Sequence, residues 1–177
     1  MNDKVWFTYK ARIQAQIRLS RLDVHSQLLL VWYAILSAAL AVVTIRYPHA
    51  LGRDTDILSA VLSIALLGIS LAVANRDYRG RSIAMQRNYL DLQRLYDHIQ
   101  KTGSSGTPEL AQYHDLLAAV ENHQEIDDKL FRVLHSSTLS SRQPTTVEMA
   151  EVYGYLALRV AITSSLYLAP IVVWYLS

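Results

Sequence analysis

Apolar residues gather in two uninterrupted runs, Leu28–Ile45 and Ile57–Ala74, and neither contains a charged side chain. Each matches the roughly 17–25 residues that a helix rising about 1.5 Å per residue needs to cross a bilayer's hydrocarbon core. Between them lies Arg46 to Asp56, punctuated by Pro48 and Gly52. Those breakers predict a tight turn between antiparallel helices. The pattern therefore predicts a membrane hairpin, 28–74, with polar helical segments on either side.

Residues 1–27 read as an amphipathic helix. Trp6, Tyr9 and Ile13 recur at helical spacing and continue less regularly to Ile17 and Val24, with Lys4, Arg12 and Arg18 opposite. Such a helix either lies on the lipid surface with its bases toward anionic headgroups or packs its apolar face on other helices. Residues 75–143 predict a helical pair. Met85, Tyr89, Leu92, Tyr96 and Ile99 are spaced 4, 3, 4 and 3, a heptad-like stripe suited to packing on another helix. After the polar break Thr102–Gly106, Thr107 and Pro108 predict an N-cap and first helical position. One helix is then expected to carry Leu116, Ala119, His123, Ile126, Leu130 and Val133. Six bases in residues 76–101 face six acids in residues 109–132, which suits an antiparallel, coiled-coil-like pair within one chain or between chains. Such charges fix register more than they stabilise, since exposed pairs contribute only about 0–1 kcal/mol each.

The last segment, 144–177, opens on Thr145-Thr146-Val147-Glu148, a capping-box pattern. It carries no charge from Val160 to Leu176. Arg159 at one end and Trp174 with Tyr175 at the other would suit two membrane interfaces, and Pro170 is tolerated in a membrane helix. This helix is either a third span or a buried helix packing back on the polar bundle. The class expected is all-α: an integral membrane hairpin, antiparallel polar helices and an apolar C-terminal helix.

Charge sets the expected orientation. Lys4, Lys10, Arg12, Arg18 and Arg21 precede the first run, and Arg76, Arg79, Arg81, Arg87 and Arg94 follow the second, against Arg46 and Arg53 in the turn. The positive-inside rule then places the N-terminus and central helices of a multi-pass protein in the cytoplasm and the turn outside. The first run starts too late and is too long for a secretory signal peptide. A net charge of +2 selects no partner, and the absence of cysteine excludes disulfides and thiol chemistry.

Chemistry-bearing patterns are sparse. Ser59, Ser63 and Ser70 share a narrow arc of the second run, with Ala65, Gly68 and Ala72 opposite; Ala34, Ser37, Ala38 and Ala41 form a small face on the first. Small faces allow close helix packing in lipid. The serines either bond their own carbonyls and neighbouring helices or line a narrow wet path in an oligomer. The six histidines are scattered, and His123 with Asp127 lacks a His-Glu-x-x-His context. No phosphate-binding loop or nucleophile elbow occurs. No enzyme activity, cofactor, metal site or nucleic-acid partner is expected.

The layout resembles the SLATT family of two-transmembrane effectors from bacterial nucleotide-signalling conflict systems. The resemblance rests on the basic helix Arg12–Leu22, the hairpin, and Arg87-Asn88-Tyr89-Leu90-Asp91-Leu92-Gln93-Arg94-Leu95-Tyr96. Tyr113-His114-Asp115-Leu116-Leu117 and Glu121-Asn122-His123-Gln124-Glu125-Ile126-Asp127 complete it. It implies a homo-oligomeric anti-phage effector that opens a pore or disrupts the membrane, causing death or growth arrest. It also implies a sensor or second-messenger synthase acting in trans, with a cyclic nucleotide as a candidate ligand. Asn88, Tyr89, Asn122 and Asp127 are the expected assembly contacts. A membrane anchor relaying a signal to a soluble partner is the alternative.

Overall fold

The structure is a computed structural model describing residues 2–49, 52–103 and 106–176, apart from the side chains of Trp174 and Leu176. Parts of the expected hairpin turn (Ala50, Leu51) and polar break (Ser104, Ser105), and the interfacial Trp174 side chain, lie outside that description. Among the described residues all regular structure is helical. The helices are α1 (Asn2–Arg46), α2 (Thr55–Asn75), α3 (Tyr78–Thr102), α4 (Thr107–Ala118), α5 (Glu125–Leu134) and α6 (Thr146–Leu176), with a 3-10 turn at Ser136–Thr138. Three helices are long and apolar enough to cross a membrane: α1, the helix opening at Thr55, and the C-terminal α6. The expected amphipathic helix and first span are one continuous element, α1.

The chain forms two compact units. Met1–Leu22 and Tyr78–Leu156 make a polar unit; Asp23–Asp77 and Ala157–Ser177 make an apolar one. In the polar unit the start of α1 is the central helix, burying Val5, Phe7, Tyr9, Ala11, Ala15 and Leu19. That spread exceeds one stripe because α1 has neighbours on several sides. Val5 and Tyr9 pack with Leu92, Leu95 and Ile99 of α3, flanked by Tyr113 and Leu116 of α4. Phe7 packs with Phe131 of α5 and Leu139 of the following connector. Leu130 and Val133 of α5 then meet Val152 at the start of α6. The basic-surface reading of this helix gives way to packing.

Local signals explain the helix ends. Gly103 closes α3 with φ +66°, donating its N–H to the Ile99 carbonyl at 3.0 Å, a C-terminal cap that favours glycine. Gly106, rather than Thr107, is the N-cap of α4, and Pro108 sits in its first turn. At the start of α6 the capping box forms as its sequence implies: the Thr145 N–H donates to Glu148 at 2.8 Å and the Glu148 N–H to Thr145 Oγ1 at 3.2 Å. Arg132 of α5 bonds the same carboxylate at 2.9 Å, and Lys129 reaches Glu151, fastening α5 to α6.

Two expectations need correction. The expected long helix from Thr107 is interrupted: α4 stops at Ala118 and α5 starts at Glu125. On α3 the buried positions are Ser82, Met85, Asn88, Leu92, Leu95 and Ile99. Tyr89 and Tyr96 flank this line instead of occupying it, because their large rings cover the core edge. The α3 and α4 helices do pack against each other, yet charge joins their segments at few points. Arg81 holds Glu121 through two bonds, at 2.8 and 2.7 Å. Asp127, Asp128 and Glu125 instead pair with Arg18, Arg132 and Lys129.

In the apolar unit the large side chains point outward. Val42, Ile45, Ile64, Leu67, Leu158 and Val160 are all exposed. In water such surface would be unfavourable by about 25 cal/mol per Å², whereas lipid covers it without that penalty.

Candidate functional site

The most unusual side chain of the polar unit is Arg12, which is 0% exposed. Val5, Tyr9, Arg12, Gln16 and Leu19 follow 4-3-4-3 spacing on α1, so the same face that enters the core carries the guanidinium inward. Its Nη1 donates to Asn88 Oδ1 and, at 3.1 Å, to the Leu116 carbonyl; Nη2 donates to the Leu117 carbonyl at 3.4 Å. Asn88 completes the arrangement by donating Nδ2–H to Leu116 O at 2.7 Å. Leu116 and Leu117 belong to the last turn of α4, where carbonyls lack intrahelical partners and the helix dipole is negative. A buried cation and an amide thus cap the interrupted helix. Burial pushes the Arg12 pKa down, yet a guanidinium stays charged at any physiological pH.

The other side of the break is held by Asp127, which is 1% exposed. Its carboxylate accepts two bonds from Arg18, at 2.9 and 3.0 Å, and one from the Gln124 backbone N–H at 2.9 Å. The first links α1 to α5; the second caps the start of α5. Six residues separate α4 from α5, and both ends of that gap are tied to α1 by arginine. His123 lies inside it, with a buried Nδ1 that has no hydrogen-bond partner among the described residues.

This burial depresses the His123 pKa below its ordinary 6.5; Arg12 adds to the effect, while Asp127 and Asp128 oppose it. The Arg132 guanidinium holds the Glu148 carboxyl at about 2. Both folded pKa values lie below their unfolded ones, so the unfolded chain binds more protons on acidification. The polar unit is expected to lose stability as pH falls below about 6.5 through His123, and again between about 4.5 and 2 through Glu148. Thermal melts across this range should show His123→Gln removing the upper step alone; a midpoint flat from pH 7.5 to 5 would contradict the assignment.

The expected residues divide between the two units. Asn88 and Asp127 are both buried at the helix break, Tyr89 is half-buried against the α1 core, and Asn122 is exposed within the gap. In the apolar unit Ser63 donates to the Ser59 carbonyl at 2.9 Å, so the 3.2 Å contact with Ser37 must take its proton from Ser37. That is hydrogen bonding between helices. Ser59 and Ser70 are half-buried, and Ala34, Ala38, Ala41, Ala65, Gly68 and Ala72 are exposed. Charge places Arg12 and Arg18 opposite the apolar face of α1; the 4-3-4-3 spacing through Arg12 is the signal to the contrary.

Three helices long and apolar enough to cross a membrane, beside a polar helical unit, mark the class as a helical membrane protein. The chain belongs to the SMODS and SLOG-associating 2TM effector domain family 5, whose model matches residues 1–176. Membership points to a membrane effector of defence systems. No curated protein and no solved structure matches the chain.

Proposed function

We propose that this protein is the membrane-breaching effector of a bacterial defence system, assembling in several copies in the inner membrane. Its polar unit lies in the cytoplasm and receives the signal. The observation that carries the reading is the apolar unit, whose three membrane-length helices turn large aliphatic side chains outward. Lipid or further copies of the chain would cover them. The exposed Ala34, Ala38 and Ala41 on α1 and Ala65, Gly68 and Ala72 on α2 allow close approach between copies. The Ser37–Ser63 bond belongs to the resting form. Opening then requires Ser59, Ser63 and Ser70 to exchange helix contacts for a wet path.

The trigger must bind the open arrangement more tightly than the closed one. A second-messenger synthase or sensor acting in trans, with a cyclic nucleotide as ligand, supplies that role. No catalytic step is assigned to this chain.

Induction in bacterial cells, with and without the neighbouring genes, tests the reading while membrane potential and growth are followed together. Depolarisation preceding growth arrest is the expected result. Arrest with an intact potential would move the toxicity to a partner. Normal potential and normal growth in every combination would leave a membrane anchor.

A further inference from the structure

Pro170 lies inside α6. Proline has no N–H, so the carbonyl four residues earlier, Leu166 O, loses its helical partner. In a water-free bilayer core such an orphan costs several kcal/mol. The Tyr33 hydroxyl of α1 donates to Leu166 O at 2.8 Å. The phenol of one helix thus replaces the hydrogen that proline removes from another.

Depth along the two helices agrees with this match. The uncharged runs start at Leu28 in α1 and at Val160 in α6, so Tyr33 lies five residues in and Leu166 six. At about 1.5 Å per residue both are about 8–9 Å along their runs, within a hydrocarbon core about 30 Å thick. Helices that meet at equal depth from the same entry side run parallel. Beyond Leu166 the chain stays helical to Leu176, with Leu168, Ile171, Val172 and Val173 exposed.

We propose that α6 is a third transmembrane span running parallel to α1, seated on the hairpin by the Tyr33 hydroxyl at the Pro170 gap. The intramembrane unit of this two-transmembrane-family chain is then a three-helix unit. The end of α6 emerges on the side of the hairpin turn. A ligand or partner reaching that end would have to come from that side of the membrane. This arrangement holds whether or not the protein forms a pore.

The natural chain contains no cysteine, so introduced cysteines report cleanly. In whole cells and in inverted vesicles, a membrane-impermeant maleimide would be applied to Arg53→Cys in the turn and Ser140→Cys in the polar connector. The third target is a short polar tail ending in cysteine, added after Ser177. Arg53→Cys and the tail should label from one side and Ser140→Cys from the other. A tail labelling with Ser140→Cys would overturn the third span.

A double-mutant cycle tests the seat itself on detergent-solubilised protein. Tyr33→Phe should lower the unfolding midpoint by about 2–4 °C with Pro170 present. With Pro170→Ala, which restores the N–H, the same change should shift it by less than about 1 °C. Equal shifts in both backgrounds would show that Tyr33 does not serve the proline gap.

Discussion

Arg12→Ala is expected to cost the polar unit about 3–5 kcal/mol, a large share of the roughly 5–15 kcal/mol that holds a typical domain folded. The substitution deprives Asn88 Oδ1 and the Leu116 and Leu117 carbonyls of a charged donor. A buried acceptor left unpaired costs about 1–3 kcal/mol. Leu116 retains the Asn88 amide, so the penalty falls mainly on Asn88 Oδ1 and Leu117. The arginine stem, 0% exposed, also leaves a void between α1, α3 and α4. Arg12→Lys should fall between parent and alanine, because a single ammonium cannot reproduce the planar fork on two successive carbonyls. Chemical denaturation followed by circular dichroism, with proteolysis in the gap between α4 and α5, measures both effects. An alanine variant within about 1 kcal/mol of the parent would show that α4 does not need this cap.

The apolar half of the molecule was legible because length and absence of charge alone define a membrane-length stretch, and residues 28–45 of α1, 57–74 of α2 and 160–176 of α6 satisfy both. The helix break was harder to read. Residues Leu116, His123, Ile126, Leu130 and Val133 keep helical spacing across it, so periodicity predicted continuity through Glu121, Asn122 and Gln124. What stops α4 comes from other elements: Arg12 lies more than a hundred positions earlier, and Asn88 arrives from α3. Those partners give the carbonyls an alternative to another helical turn, a tertiary choice that local spacing does not encode. Charge counting failed for a related reason. Asp127 was grouped with an acidic surface facing α3, but its proximity to Gln124 turns it inward as a cap, where Arg18 of α1 can reach it. Asn88 and Asp127, expected as assembly contacts, also make bonds within one chain that local spacing does not reveal. Tyr33 and Pro170 were both visible, but only their contact shows that one compensates for the other.

The Arg18–Asp127 pair provides the second large effect and separates charge from capping. Its carboxylate is 1% and its guanidinium 14% exposed, so removing one partner leaves a charge with little water. Asp127→Asn preserves an oxygen that can accept the Gln124 N–H but abandons Arg18. The expected loss is about 3 kcal/mol, the lower end for a broken buried pair because Arg18 keeps some solvent. Adding Arg18→Leu removes the abandoned charge and replaces it with apolar volume beside Leu19 and α5. The double variant should return to within about 1 kcal/mol of the parent, since buried ion pairs replaced as a unit by apolar groups are often neutral. Denaturation of the parent, both single variants and the double variant gives the coupling directly. If the double variant stays as unstable as Asp127→Asn, the loss lies in the weakened cap on Gln124, and the start of α5 depends on the carboxylate itself rather than on its arginine.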